Sequence, residues 1–157
     1  MFRTGIGYDV HRFSRNTELV LGGISIPYSF GLLGYSDGDV LIHSIIDSIL
    51  GACSMGDIGD YFPSDDPKLE NISSMILLSR TNQMIKESNW GIENIDATII
   101  AEKPRLKKFV KQMENSIANT LEVLSDQINI KCTTTDGLGM VGQGEGISVI
   151  SIATVQK

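Results

Sequence analysis

The sequence predicts a single α+β domain in which helices are layered on one face of a β-sheet. The chain has 157 residues, of which 41% are hydrophobic, so it is about the size of one domain and can bury a core of its own. Strand and helix periodicities both occur along it, in the order strands, helix, helix, strand, helix, strand, strand. Packing the helices on one sheet is the simplest way to bury the apolar faces of both.

The N-terminal third is predicted to hold a strand, a hairpin and a buried helix. Thr4–Val10 has a strand pattern, and Glu18–Ile26 contains two short apolar runs split by Gly22-Gly23, which is a hairpin signal. From Asp39 to Cys53 apolar residues recur on a wide helical face. This pattern predicts a helix that is largely buried.

The rest of the chain is predicted to contain two more helices and three more strands. The predicted order is a loop over Gly56–Pro67, a helix over Ile72–Glu87, a strand over Ile95–Ala101, a helix from Pro104 to about Leu124, and strands over Ile128–Thr133 and Ile147–Val155. The last two strands are joined by Thr134–Gly146, a segment with five glycines.

Composition argues against nucleic-acid and membrane partners. The net charge is -6, whereas a nucleic-acid footprint needs a basic face. Residues 1–20 contain no apolar stretch long enough for a signal peptide or a membrane span, so we expect a cytoplasmic protein. The two cysteines, Cys53 and Cys132, are too few for a disulfide framework and are predicted to be buried thiols in a reducing compartment.

Asp9, His11 and His43 form the first candidate for a metal site, and the two histidines are the only ones in the chain. Asp9 and His11 are two positions apart on the first strand, so their side chains share a face with about 7 Å between α-carbons. His43 would complete an Asp/His/His set with one position open, as a catalytic zinc is held. The alternative is two unrelated surface histidines, since spacing does not show that positions 11 and 43 meet.

Two acidic segments have both a structural and a functional interpretation. In Ser36-Asp37-Gly38-Asp39 either carboxylate can cap the first helix, which is the favoured interpretation, or one can lie behind the metal site and hold a histidine tautomer. Asp57-Ile58-Gly59 and Phe62–Pro67 form a loop that, on sequence alone, is best explained as a rigid turn. As a functional segment it could clamp sugar hydroxyls or close a lid.

Two further segments could bind phosphate. Thr133-Thr134-Thr135-Asp136-Gly137 ends a strand, and its hydroxyls and backbone amides suit phosphate oxygens, while Asp136 suits a hard cation such as Mg²⁺. Ala101–Lys107 runs from a strand end to a helix start, where free backbone groups, Lys103 and Arg105 can contact a base edge or phosphate. The alternatives are a threonine-rich strand with a flexible hairpin and an ordinary solvated helix start.

Six sequence blocks, taken together and in order, are spread over nearly the whole chain. They are G-I-G-Y-D-V-H at 5–11, G-G-I-S-I-P-Y at 22–28, S-D-G-D-V-L-I-H at 36–43, G-D-I-G-D-Y-F-P at 56–63, I-I-A-E-K-P at 99–104, and T-T-T-D-G-L-G at 133–139 followed by G-Q-G-E-G-I at 142–147. In this order the blocks resemble the 2-C-methyl-D-erythritol 2,4-cyclodiphosphate synthase family of non-mevalonate isoprenoid biosynthesis.

The resemblance implies a homotrimer with active sites between subunits and a small-molecule cytidine diphosphate substrate. It implies Zn²⁺, or another divalent transition metal, at Asp9, His11 and His43, and Mg²⁺ or Mn²⁺ at Asp136 beside the substrate diphosphate. Tyr35 and Thr134 are implied in catalysis. The residues implied in substrate binding are Asp9, Val10, His11, Tyr35, Ser36, Asp57, Ile58, Gly59, Phe62, Pro63, Ser64, Asp65, Asp66, Ala101, Glu102, Lys103, Pro104, Arg105, Leu106, Lys107, Thr133, Thr134, Thr135, Asp136, Met140 and Gln143.

The implied reaction explains why hydroxyls and amides recur where a hydrolase would show an acid or base. The 2-phosphate of 4-diphosphocytidyl-2-C-methyl-D-erythritol 2-phosphate attacks the β-phosphorus of its own diphosphate, expels CMP and closes a ring. Both groups are anionic, so cations are needed between them, but no protein base is needed because a phosphate oxygen is already a nucleophile. Holding both ends of one molecule in a bent pose supplies the rest.

The chain departs from the family pattern at four positions. Tyr35 stands where histidine is usual, so it can donate a hydrogen bond but cannot be cationic. Asp136 replaces a glutamate and is one methylene shorter, which should be tolerated. Gln143 stands where arginine is common and Met140 where an aromatic residue is common, which bears on whether a trimer-axis cavity binds a phosphate or prenyl ligand.

Two other functions fit the same residues. A metallohydrolase could cleave a nucleotide diphosphate with a zinc-bound water, releasing CMP but leaving a linear bisphosphate. A non-enzyme alternative is a zinc-stabilised trimeric binding module whose site has decayed, for which Tyr35 and Gln143 are the only indications.

Overall fold

A computed structural model describes residues 1–157 as a mixed β-sheet with helices packed against it. The strands are β1 (Phe2–Ser14), β2 (Leu19–Leu21), β3 (Ile24–Ile26), β4 (Gly31–Leu32), β5 (Gly91–Ile100), β6 (Ile128–Thr133) and β7 (Gly146–Gln156). The main sheet has the order β4-β1-β7-β5-β6, in which only β5 and β6 are parallel neighbours, and β2 and β3 form a separate hairpin. The predicted α+β architecture is confirmed.

The helices pack on the sheet and bury most of their apolar residues. They are α1 (Val40–Cys53), α2 (Ile58–Tyr61), α3 (Ser74–Glu87), α4 (Val110–Leu121) and α5 (Gly139–Gly142), with 3₁₀ turns at Pro67–Leu69, Lys107–Phe109 and Ser125–Gln127. One continuous hydrophobic core fills the space between α1, α3, α4 and the inner face of the sheet. None of the helices is long and apolar enough to span a membrane.

The hairpin and the first helix lie where the sequence predicts them. β2 and β3 turn at Gly22-Gly23, where both glycines have positive φ angles. The helix α1 begins after Asp39, whose carboxylate accepts a hydrogen bond from the Ile42 N–H at 3.1 Å. Of the two candidate caps for this helix, Asp39 is therefore the one that acts.

The predicted third helix was wrong at both ends. It was expected from Pro104 to Leu124, but residues 101–106 first run beside the end of β6, with the Ala101 N–H bonded to the Thr133 carbonyl at 3.0 Å. Regular α-helix starts only at Val110. It stops at Leu121, because Glu122 takes a left-handed conformation and closes the last turn.

The prediction that both cysteines are buried was wrong for Cys132. Cys53 is buried in α1, but Cys132 is exposed on β6. Cys132 shares a face with the buried Ile128 and Ile130, but β6 is an edge strand and its end lines an open cleft. The predictions also missed β4, the one-turn helices α2 and α5, and the extension of β1 to Ser14.

Two glycines let α1 lie directly on β1. A Cβ atom built at Gly7 would overlap the carbonyl oxygen of Ser44, and one built at Gly5 would overlap that of Ser48. The Ser44 and Ser151 hydroxyls, 2.8 Å apart, join the same helix to β7. Because Gly7 lies two residues before Asp9 and Ser44 directly follows His43, this contact sets how closely the candidate metal ligands approach each other.

We predict that Gly7→Ala lowers the free energy of unfolding by about 1–3 kcal/mol, as overpacking of a close-packed interface does. The new methyl group meets backbone atoms of α1, which cannot rotate away. Urea unfolding followed by circular dichroism measures the change.

Gly51→Ala is the matched control, because Gly51 lies on the helix side of the same interface and its nearest atoms to a new Cβ are 3.9 Å away. This substitution should be neutral or stabilise by up to about 1 kcal/mol through helix propensity. Equal unfolding midpoints for the two variants would contradict the packing argument.

Candidate functional site

A cleft of about 300 Å³ opens between β1, α1 with the loop before it, and α2 with the segment after it. It brings together residues that are up to 68 positions apart in the sequence, as the span from Asp9 to Leu77 shows. The lining residues are Asp9, His11, Tyr35, Ser36, His43, Asp47, Ile58, Gly59, Phe62, Ser64, Leu69 and Leu77. The prediction that the two histidines meet is therefore confirmed.

Asp9, His11 and His43 converge with the spacing of metal ligands. Asp9 Oδ2 lies 2.9 Å from His11 Nε2 and 3.2 Å from His43 Nδ1, and the two ring nitrogens are 3.3 Å apart. Ligand atoms that surround a tetrahedral zinc at about 2.0–2.1 Å are separated by roughly 3.3 Å. The three donors, all of which line the cleft, could hold a divalent transition metal.

The far side of each imidazole has a partner of its own. His11 Nδ1 donates to the Leu33 carbonyl at 2.5 Å, which leaves the Nε2 lone pair facing the cluster. His43 presents Nδ1 to the cluster, while its Nε2 lies 2.8 Å from Ser74 Oγ and 2.9 Å from Ser36 Oγ. Such partners behind the ligands orient the rings in known metal sites.

The charges in the cluster favour an anionic Asp9. Burial alone would raise the pKa of Asp9, but hydrogen bonds and charge from His11 and His43 outweigh burial and hold that pKa well below its ordinary value. Burial likewise opposes protonation of His11, yet the hydrogen bond and the negative charge of Asp9 raise the pKa of His11. Asp9 therefore offers a carboxylate ligand at neutral pH.

Asp39 does not line the cleft but joins two elements next to it through buried hydrogen bonds. Its buried carboxylate accepts hydrogen bonds from the N–H groups of Gly22 at 3.0 Å and Gly23 at 2.8 Å as well as that of Ile42. Burial raises the pKa of Asp39 to about 6 although these three donors favour its charged form. Asp39 thus ties the hairpin to the start of α1, and it does not face the cleft.

The loop around α2 forms one wall of the cleft. The carboxylate of Asp57 accepts from the Gly59 and Asp60 N–H groups, so it caps α2. The Tyr35 hydroxyl donates to the Asp66 carbonyl at 3.1 Å. Desolvation and nearby carboxylates, that of Glu70 foremost, raise the pKa of Tyr35, which therefore remains a neutral donor.

Sequence reasoning missed two polar residues of this site. Asp47 lines the cleft, and its carboxylate accepts from the Ile58 N–H at 2.8 Å, which fixes the start of α2. Its position four residues after His43 on one helix could have indicated a shared face. Ser74 contacts His43 from the start of α3, and nothing in its sequence neighbourhood indicated this.

A second cleft of about 300 Å³ lies at the ends of β5 and β6. It forms because these strands run in parallel, with Ile100 opposite Thr133, so the segments that follow them meet. The lining residues are Ile99, Ala101, Glu102, Pro104, Arg105, Leu106, Lys107, Cys132, Thr133 and Thr134. It shares no lining residue with the first cleft, so the metal cluster and this cleft are separate within one chain.

Glu102 shapes the second cleft from one side. Its carboxylate accepts hydrogen bonds from the Thr135 N–H at 2.8 Å and the Thr135 hydroxyl at 3.2 Å. The bond from the Thr135 N–H is the main cause of a lowered pKa of Glu102. The Thr134 hydroxyl donates to the Asp136 carboxylate at 3.2 Å, and neither residue joins the histidine cluster.

Several other predicted residues lie outside both clefts. Met140 lines a third cavity of about 380 Å³ together with Val10 and His11. Gln143 is exposed, and Lys103 lines none of these three cavities.

The fold and the cluster define a class of α+β proteins with a possible Asp/His/His metal site between the first strand and the first helix. The chain belongs to the YgbB family, whose defining pattern matches residues 2–156.

Relatives of known name match the whole chain. It is 52% identical over 155 residues to the 2-C-methyl-D-erythritol 2,4-cyclodiphosphate synthase of Clostridium novyi, covering 99% of both chains. It is 53% identical over 150 residues to the protein of the same name from Clostridium acetobutylicum, covering 96% of this chain and 97% of the relative.

Solved structures share the fold. The bifunctional IspDF of Campylobacter jejuni superposes with a TM-score of 0.95 at 42% identity and covers 99% of this chain, which spans only 42% of that longer protein. The CDP complex of IspF from Plasmodium falciparum superposes with a TM-score of 0.85 at 33% identity, covering 98% of this chain and 95% of the other.

We predict that each chain binds one Zn²⁺ through the cluster and that Asp9→Asn weakens this binding by about 100-fold or more, because even residues behind a metal ligand contribute about 10–100-fold. Competition with a chromophoric chelator gives the affinity. Asp126→Asn is the control, since Asp126 is exposed on a 3₁₀ turn and outside the cluster. Unchanged zinc affinity in a folded Asp9→Asn protein would contradict the assignment.

Proposed function

We propose that the chain converts 4-diphosphocytidyl-2-C-methyl-D-erythritol 2-phosphate to 2-C-methyl-D-erythritol 2,4-cyclodiphosphate and CMP, as a phosphorus–oxygen lyase of non-mevalonate isoprenoid biosynthesis. One observation carries the proposal above the others. Asp9, His11 and His43 converge as metal ligands in a chain that is about half identical, over its full length, to synthases of that name.

The first cleft, together with Asp136 and Thr134 outside it, suits the reacting phosphates. Asp9, His11 and His43 would hold a transition metal, and Asp136 would hold Mg²⁺ or Mn²⁺. When bound, such ions supply the positive charge that lets one anionic phosphate approach another. The hydroxyl groups of Tyr35, Ser36 and Thr134 would donate hydrogen bonds to phosphoryl oxygens after turning away from their present partners within the chain, and they add no competing base.

The second cleft suits a nucleotide. We assign the cytidine and its phosphate to residues 101–107 and 133–135, where strand-end backbone groups, Arg105 and Lys107 surround an open cavity. Support comes from the solved relative from Plasmodium falciparum, which is described as a CDP complex. Residues 57–59 and 62–66, on the wall of the first cleft, are assigned to the sugar and methylerythritol hydroxyls.

A homotrimer would join the two clefts. They are separate within one chain, so a single substrate that spans metal and nucleotide sites needs a neighbouring subunit. The outer face of the sheet supports assembly, because it carries an exposed apolar patch formed by Ile6, Tyr8, Ile150 and Ile152. Ile6 is 70% exposed, which is unusual for an isoleucine in the middle of a sheet.

The other proposed features rest on the sequence. The cytoplasmic location stays a prediction. Hydrolysis of the same substrate and a catalytically inactive binding module remain the two competing functions, and product analysis separates all three.

We predict that the purified protein, given 4-diphosphocytidyl-2-C-methyl-D-erythritol 2-phosphate, Mg²⁺ and Zn²⁺, forms the cyclic diphosphate and an equal amount of CMP. A phosphorus NMR time course measures both products. The Asp9→Asn variant is the control for metal dependence and should lose turnover while staying folded. A linear bisphosphate with CMP would mean hydrolysis. An unchanged spectrum from zinc-loaded protein would support the inactive binding module.

We predict that the protein is a trimer in solution and that Ile150→Glu dissociates it, since a charge in the apolar patch cannot be desolvated at low cost. Analytical ultracentrifugation gives the mass. Ile76→Glu is the matched control, because Ile76 is 45% exposed on α3 and lies outside the patch. A monomeric wild-type protein, or equal masses for the two variants, would contradict this assembly.

A further inference from the structure

A short hydrogen-bond chain connects the metal cluster to a carboxylate behind it. His43 Nε2 lies 2.8 Å from Ser74 Oγ, and Ser74 Oγ lies 2.5 Å from Asp37 Oδ1. Ser74 is fully buried and His43 is 9% exposed. The link between His43 and Ser74 is therefore shielded from water, and the Asp37 carboxylate that follows it is partly buried.

The Asp37 carboxylate, at the far end of the hydrogen-bond chain, determines which groups in it donate and which accept. An ionised carboxylate can only accept hydrogen bonds. Asp37 accepts from the Ser74 hydroxyl, and it also accepts the N–H groups of Asp39 at 3.1 Å and Ser74 at 2.8 Å. The Ser74 proton therefore points to Asp37, and only lone pairs of its oxygen face His43. His43 must then carry its proton on Nε2, since otherwise two lone pairs would meet at 2.8 Å.

His11 is set in the opposite tautomer by the same rule. Its Nδ1 faces the Leu33 carbonyl, which is also an acceptor only, so His11 carries its proton on Nδ1. The bare nitrogens are then His11 Nε2 and His43 Nδ1. These two atoms are the ones that converge with Asp9.

We propose that Asp37 and Ser74 are positioning residues, which fix His43 in its Nε2–H tautomer and leave Nδ1 free for a divalent transition metal before any ion binds. The inference rests on the metal site of the proposed function. Asp37 holds the N–H groups at the starts of α1 and α3 together, so it also orients the helix that carries His43 and the serine behind it.

Ser36 is a second, weaker constraint on the same ring. Its hydroxyl lies 2.9 Å from His43 Nε2 and 3.3 Å from Ser74 Oγ, and no carboxylate determines where its proton points. Without Ser74, the Ser36 hydroxyl can either donate to Nε2 or accept from it. Removal of the Ser74 hydroxyl should therefore allow His43 to populate both neutral tautomers.

The test uses histidine labelled with ¹⁵N in the full-length, metal-free protein. Because the chain has only two histidines, long-range ¹H–¹⁵N spectra contain two rings, and alkaline pH keeps both neutral. We expect the wild-type protein to show His43 protonated at Nε2 and His11 protonated at Nδ1. The opposite tautomer, or a mixture, at His43 would overturn the proposal without any variant.

Ser74→Ala should give mixed tautomers at His43, leave His11 unchanged, and weaken Zn²⁺ binding about 10–100-fold. Ser73→Ala is the control, since this neighbouring serine is exposed and only caps the Met75 N–H at 3.3 Å. A folded Ser74→Ala protein with wild-type tautomer and affinity would overturn the proposal. Neither readout requires turnover, so a protein that passes both but forms no cyclic product would contradict only the proposed function.

Discussion

The close packing of α1 on β1 determines where the residues of the candidate site lie relative to one another. At Gly5 and Gly7 the strand offers no side chains, so the helix backbone lies directly on it. Asp9 and His11 continue the strand just beyond this contact, and His43 lies on the helix beside it. Three candidate metal ligands from two elements can then meet within 3.3 Å of one another.

Behind the candidate ligands, every buried polar side chain has a hydrogen-bond partner. A backbone carbonyl at Leu33 and the Asp37 carboxylate, acting through Ser74, are both acceptors, and each determines which nitrogen of a histidine stays bare. The same groups that satisfy buried donors therefore also prepare the cluster for a cation, so stability and site geometry have a common origin here.

The two clefts of the proposed function lie at different places on the surface of the fold. The metal cleft lies beside α1, and the cleft with Arg105, Lys107 and the threonines lies at the ends of the parallel strands β5 and β6. The net charge of the chain is -6, so the positive charge needed for phosphates has to be local. The apolar outer face of the sheet gives a physical reason for subunits to associate, which is how the proposed function brings the two clefts together.

Features that depend on neighbours a few residues apart could be predicted from the sequence alone. The hairpin at Gly22-Gly23, an acidic cap at Asp37 or Asp39 and the shared face of Asp9 and His11 all follow from such short-range rules. The six family blocks indicated which segments to assign to metal and substrate binding. Tertiary packing determined that helix α4 starts at Val110, because Ala101 still continues the pairing with β6 and a 3₁₀ turn over Lys107–Phe109 comes before the helix. It also decided that Cys132 is exposed and that Ser74 and Asp47 belong to the site, since contacts between distant residues depend on how the elements pack, and no local pattern encodes them.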